Sequence, residues 1–183
     1  MLNAIKKYYL WAVLIVAIAA QLYFPIHSIV ENNDILETGA EYKINIVRPL
    51  DPTDPFRGRY VSIFVSITIP NELKDEIPDS GPYYIRLITG EDGFAELSEV
   101  SITPLEGEGV LKLDNPSQSW LEWGNMIQLP FDRYYMREEI APKAENAYRR
   151  QDSVYVKLKV KNRKGIIAGL YVDDMRIEDY ARQ

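Results

Sequence analysis

Apolar and polar residues follow two different periods along this chain. From Tyr8 to Ile26 the sequence YYLWAVLIVAIAAQLYFPI carries no charge, and Gln21 is its one strongly polar member. A helix over those 19 residues covers roughly 28 Å at about 1.5 Å per residue, close to the ~30 Å core of a bilayer. Tyr8, Tyr9 and Trp11 mark one edge and Tyr23 and Phe24 the other, as in an aromatic belt. From Glu41 onward the period falls to two. The alternation and the β-branched and aromatic content predict strands at 42–48, 60–69, 83–89, 94–103, 109–113, 126–129, 154–161 and 166–172, separated by Gly, Pro, Asp and Asn. The 154–161 strand alternates most cleanly, with Val154, Val156, Leu158 and Val160 on one face and Lys157, Lys159 and Lys161 on the other. Glu91-Asp92-Gly93 and Arg163-Lys164-Gly165 read as hairpin turns.

Two further helices are expected. Ser28–Leu36 continues or follows the apolar helix and stops near Gly39, and Ala141–Gln151 has Pro142 in its first turn and Ala144, Ala147 and Tyr148 at helical spacing. The predicted fold is therefore mainly β: an antiparallel sandwich or barrel-like domain with an N-terminal transmembrane helix and one short helix near 141–151. The expected organisation is a cytoplasmic segment 1–7, an anchor 8–26, a juxtamembrane helix or linker 27–40 and an exported domain 41–183. A weak internal repeat sets Pro55-Phe56-x-x-x-Tyr60-Val61 against Pro130-Phe131-x-x-x-Tyr135-Met136, and Tyr84-Ile85-Arg86-Leu87 against Tyr155-Val156-Lys157-Leu158. It suggests a pseudo-duplicated pair of halves, 41–113 and 114–183.

Charge adds an orientation. Lys6 and Lys7 precede the apolar run, whereas Asp34, Glu37 and Glu41 follow it with Lys43 alone. The positive-inside rule places the N-terminus in the cytoplasm and the rest outside, as a single-pass protein of the inner membrane with a periplasmic or other extracytoplasmic domain. A cleaved signal peptide is the competing reading, because Ala17-Ile18-Ala19 resembles a cleavage site. The apolar run continuing through Leu22, Tyr23 and Phe24 favours a retained anchor. Beyond the anchor stand 19 basic and 27 acidic residues, a net −8, which argues against nucleic acid and predicts a domain standing off anionic headgroups.

Composition excludes more chemistry than it suggests. The 183 residues contain no cysteine and one histidine, which removes thiolate nucleophiles, disulfides and Cys- or His-rich metal sites. His27 sits at the exit of the span, where a pH sensor competes poorly with an interfacial histidine of no special role. A Ser28 nucleophile with a lysine base, as in membrane-anchored serine peptidases, fails because the lysine's place falls near Arg86, which does not deprotonate. Asp173-Asp174 and Glu178-Asp179 read as solvated charge runs.

The stretch Arg48 to Pro70, RPLDPTDPFRGRYVSIFVSITIP, resembles the GDYXXLXY family of membrane-anchored bacterial proteins. Pro49, Asp51, Pro52, Asp54, Arg57, Gly58 and Tyr60 match its signature run, while Arg59, Ile63 and Val65 depart from it. LPFDRYYMREEIAPKAENAYRR is similar to the family's second block through Arg133, Tyr135 and Glu138. The function of that family is uncharacterised, and some members are encoded beside polytopic membrane proteins. The resemblance thus implies a membrane partner more than a substrate.

Read from the residues alone, the first block is a rigid corner. Its prolines fix φ, Asp51 and Asp54 suit Asx-turns, Gly58 permits positive φ, and Arg57 pairs with an Asp. The functional reading gathers Arg48, Arg57, Arg59 and Arg133 into an anion site beside Tyr60, Tyr135 and Glu138. Calcium on Asp51 and Asp54 lacks ligands. Trp120 and Trp123, flanked by loop residues, are the best exposed aromatic candidates. The expected function is a non-enzymatic exported domain that assembles with or regulates a polytopic membrane protein and touches the bilayer through its N-terminal helix. It needs no cofactor. The alternatives are an anion- or small-ligand-binding domain, and an inactive relative of a membrane-anchored peptidase fold.

Overall fold

The structure, a computed structural model, describes residues 2–47, 60–115, 125–135, 154–180 and 182. The apolar N-terminal run and the segment after it form one unbroken helix, α1 (Leu2–Thr38), 37 residues long and about 55 Å from end to end. It is long and apolar enough to cross a membrane. Pro25 lies inside it, where the ring removes the N–H that would otherwise bond the carbonyl of Gln21. The helix stops at Gly39, whose N–H donates to the Ile35 carbonyl at 2.9 Å. A Cβ at Gly39 would lie 2.5 Å from the Ile35 oxygen and 3.1 Å from the Val160 oxygen. Glycine is thus what lets the helix end lie against the neighbouring strand.

Eleven strands are described: β1 (Ala40–Val47), β2 (Tyr60–Ser62), β3 (Phe64–Thr68), β4 (Tyr83–Thr89), β5 (Ala95–Ser101), β6 (Val110–Leu113), β7 (Met126–Gln128), β8 (Arg133–Tyr135), β9 (Val154–Lys161), β10 (Lys164–Val172) and β11 (Met175–Arg176). A 3-10 turn spans Asn71–Glu76, and a short helix α2 (Ile177–Tyr180) follows β11. The strands form a six-stranded sheet in the order β11-β10-β9-β1-β3-β7, a three-stranded sheet β5-β4-β6 and a two-stranded ladder β2-β8. Every described pairing is antiparallel. The fold is the expected mainly β arrangement, built as open sheets rather than a closed barrel.

One continuous core joins the sheets. Ile44, Val156, Leu158 and Leu170 come from the six-stranded sheet and Ile85, Leu87 and Leu111 from the three-stranded one. The alternation of β9 holds for Val154, Val156, Leu158 and Val160, all buried. Tyr155 breaks it, being 3% exposed although it points the other way. Its ring stacks on Tyr171 at 5.3 Å, meets Phe94 edge-on at 5.8 Å and lies under the Lys43 ammonium at 5.3 Å.

Several boundaries differ from the sequence reading. The expected strand 60–69 divides at Ile63, fully buried, whose N–H donates to the Asp132 carbonyl at 3.0 Å. Beyond it the chain exchanges β8 for β1 and β7 as neighbours, a change of partner to which a period of two is blind. The β9–β10 turn is Asn162-Arg163, both at positive φ (51° and 65°), one residue earlier than Arg163-Lys164-Gly165; two such residues suit a two-residue hairpin loop. The 3-10 turn, β8, β11 and α2 are too short to show a period. The halves 41–113 and 114–183 interleave, since β1 pairs with β9, β2 with β8 and β3 with β7. The expected helix 141–151 lies outside the described residues.

Candidate functional site

Two places collect polar side chains. The first is the β2–β8 ladder, where Tyr60 pairs with Tyr135, Val61 with Tyr134 and Ser62 with Arg133. The two Pro-Phe-x-x-x-Tyr blocks of the sequence thus meet at their tyrosines. Arg133 Nε stands 3.5 Å from Asp132 Oδ2, and Tyr135 is 64% exposed. Between them in sequence, Tyr134 points to the C-terminal segment and its hydroxyl donates to Glu178 Oε1 at 2.5 Å. Burial, then the neighbouring carboxylate, pushes the Tyr134 phenol up to about 12. The other carboxylate oxygen of Glu178 is buried and faces Arg176 Nε at 3.6 Å. Contact with Tyr134 raises the Arg176 guanidinium further above its ordinary value.

This cluster corrects the solvated reading of Glu178. Asp174 is exposed, as expected, and in addition accepts a 2.7 Å bond from the Tyr155 hydroxyl. Burial, followed by that bond, pushes Tyr155 to about 12. At the ladder Arg133 is offset by Asp132 and Arg176 by Glu178, so its described part is charge-balanced rather than an open anion cradle. Arg48, Asp51, Asp54, Arg57, Gly58, Arg59, Trp120, Trp123 and Glu138 lie outside the described residues. Among the described residues no group of three or more His, Asp or Glu side chains could hold a metal ion.

The second place is the junction of α1 with the outer face of β9 and β10. Lys161 Nζ donates to both oxygens of Asp34, at 2.8 and 2.7 Å, and to Thr38 Oγ1 at 2.7 Å. Lys164 Nζ donates to both oxygens of Glu31 at 2.7 Å each. Lys159 reaches the Gly39 carbonyl at 3.3 Å. Just beyond, Glu41 lies 3.0 Å from Lys157 and 3.4 Å from Lys159. The Lys157 hydrogen bond lowers the Glu41 carboxyl below its ordinary value and, reciprocally, raises Lys157. Ile35, 1% exposed, is the helix's one fully buried large side chain in this contact.

The lysine face of β9 is thus the seat of the N-terminal helix, not a free solvent face. Sequence reasoning missed Glu31, Asp34, Ile35 and Thr38. Their spacing of three or four residues, with Ile35 the apolar member, was the available signal. Elsewhere, an open cleft of about 370 Å³ lies between Asn45, Ser66 and Thr68 on one side and Asp92, Phe94 and Glu96 on the other. Asp92 is engaged there in accepting the Phe94 N–H at 2.9 Å.

The family model described as GDYXXLXY protein matches residues 21–169. No curated protein and no solved structure matches the chain. The match covers most of the sequence, so the chain belongs to the GDYXXLXY family.

Proposed function

We propose that this GDYXXLXY-family protein is a membrane-anchored subunit whose exported β domain assembles with or regulates a polytopic membrane protein, working by binding rather than turnover. The carrying observation is mechanical. The apolar helix enters the domain without a linker and is clamped there by Glu31, Asp34 and Thr38 on Lys164 and Lys161. A domain that needs only tethering is served by a flexible linker. A continuous, docked rod instead fixes height and orientation above the bilayer, which an assembly subunit requires. Lys6 and Lys7 before the span support a cytoplasmic N-terminus, and the family resemblance supports a polytopic partner.

The test is a C-terminally tagged chain extracted gently from native membranes. The expected result is a stoichiometric polytopic partner and an uncleaved N-terminus. Inserting Gly-Ser-Gly after Ser28, which breaks the rod and leaves both ends intact, weakens that association. A wild-type chain that purifies alone overturns the reading.

One observation favours the anion-binding alternative: the ladder pairs Tyr60 with Tyr135 and Ser62 with Arg133. Saturable phosphate binding, lost in Arg133→Gln while the fold persists, would place that reading first.

A further inference from the structure

Helix α1 carries a seven-residue repeat that runs out of the apolar span and into the segment that meets the domain. Ile15, Leu22, Ile29 and Leu36 stand at seven-residue intervals, preceded at four residues by Trp11, Ile18, Pro25 and Asn32. These are the a and d positions of about four heptads, the length over which such a repeat marks a coiled-coil seam. Every one of them is exposed. The charges keep to the same frame. Glu37, Glu31 and Asp34 take the outer b, c and f positions, so a, d, e and g are uncharged from Trp11 to Leu36.

What covers the seam follows from where it ends. In the membrane-anchored reading Leu36 lies ten residues past Ile26, about 15 Å along the axis. The headgroup layer adds only about 6 Å to the hydrocarbon core on each side, so lipid does not reach Leu36. The domain does not cover it either. Glu31, Asp34, Ile35 and Thr38, which hold the domain, are centred about 140° around the helix from Ile29, Asn32 and Leu36. The occupant must be a helix that rises equally far above the membrane, repeats every seven residues and brings a polar group to the level of Asn32. A second copy meets all three conditions. Copies inserted in the same sense are parallel and in register. Asn32 then meets Asn32, an amide pair able both to donate and to accept, and no acid faces an acid. The two domains hang on the outside of the pair.

We propose that two copies of the chain pair in parallel through the Ile15–Leu22–Ile29–Leu36 seam of α1, as a left-handed coiled coil with a two-fold axis along it. Asn32 sets the register, as a polar residue in an apolar seam does. The pairing goes beyond the assembly reading and does not depend on it.

The chain has no cysteine, so single replacements report the seam directly. Tagged full-length chains carrying Ile29→Cys or Leu36→Cys, at a positions, are compared with Val30→Cys or Glu37→Cys, one residue on at b positions. Each is oxidised with copper phenanthroline in native membranes. The expected result is a disulfide-linked product of twice the chain's mass from 29 and 36, formed at least tenfold faster than from 30 and 37. On the Leu36→Cys chain, Ile29→Glu or Asn32→Asp sets carboxylate against carboxylate in the seam and lowers the rate about tenfold, whereas Val30→Glu leaves it unchanged. Wild-type amide exchange at Thr38 and Gly39 confirms that each variant keeps α1 docked on its own domain. Equal rates at 29 and 30, no linked product from 29 and 36, or an undiminished rate with Ile29→Glu overturn the pairing. A linked product of another mass overturns the second copy as occupant. A linked dimer in membranes from which no polytopic protein co-purifies supports the pairing and overturns the assembly reading alone.

Discussion

Replacing Ile35 by alanine probes the junction of anchor and domain most directly. The side chain is 1% exposed, and the change deletes three carbons, about 2.4 kcal/mol at ~0.8 kcal/mol each. The cavity left behind adds to this loss. The better helix propensity of alanine returns roughly 0.4 kcal/mol. The net expectation is about 2–3 kcal/mol against docking, a rise of roughly 30- to 150-fold in the undocked population. Helix α1 itself survives, since alanine is the stronger helix former. Hydrogen exchange by mass spectrometry on the full chain in micelles reads this as faster exchange at the Thr38 and Gly39 amides, with the core strands β4 and β9 unchanged. Leu36→Ala is the internal control, because Leu36 is adjacent, also apolar and 38% exposed; its effect should stay below about threefold. If Ile35→Ala changes exchange no more than Leu36→Ala, the helix is not held by that contact and the rigid-rod argument fails.

Three further outcomes follow from the same geometry. Gly39→Ala places a Cβ against the Ile35 and Val160 backbone, so it should cost about 1–3 kcal/mol and accelerate exchange at the same amides. Glu41 titrates below its ordinary value in the folded protein, so its contribution is present above about pH 4.5 and lost as the pH falls through the lowered value. Thermal melts from pH 6 to 3 should therefore show a shallower acid limb for Glu41→Gln than for wild type. Tyr83, Tyr134 and Tyr155 are each pushed up to about 12, so their stabilisation is whole below about pH 10 and lost as the pH rises through about 12. Absorbance at 295 nm should show a late group of phenols, reduced by one in Tyr155→Phe; a single transition near pH 10 for every tyrosine in the native state would contradict the burial described.

What the sequence conveyed and what it withheld divide along physical lines. The strands β4, β6, β7 and β9 were legible because each is a run with one buried face, and burial of that face is what a period of two records. The long helix was legible from its uncharged length. Partner exchange at Ile63 was not, because the residues on both sides alternate alike whichever strand lies beside them. The clamp was hidden for another reason. Lys157, Lys159 and Lys161 have the pattern of a solvated face, and nothing local to β9 announces that carboxylates more than a hundred residues earlier will cover it. Glu178 was misread by the same logic, as its role becomes specific only when Tyr134 arrives, and the bond from Tyr155 to the exposed Asp174 was equally hidden. The Pro-Phe-x-x-x-Tyr blocks were visible as a repeat, but their meeting across β2–β8 is a property of topology.

Net charge and local pairing argue for opposite placements of the domain. A surface of net −8 should keep its distance from anionic lipid. Yet Glu31, where the helix first engages the sheet, lies five residues past Ile26, about 8 Å along the axis, so in the membrane-anchored reading the β9–β10 hairpin sits at headgroup level. Repulsion there depends on the charges within a Debye length, about 8 Å at physiological salt, and these are matched: Lys164 with Glu31, Lys161 with Asp34 and Arg163 with Glu106 at 2.8 Å. In that reading the ion pairs that hold the rod also neutralise the face turned to the membrane. Charge reversal at one of them, Lys164→Glu, should act twice: it opposes Glu31 across the clamp and adds negative charge nearest the lipid.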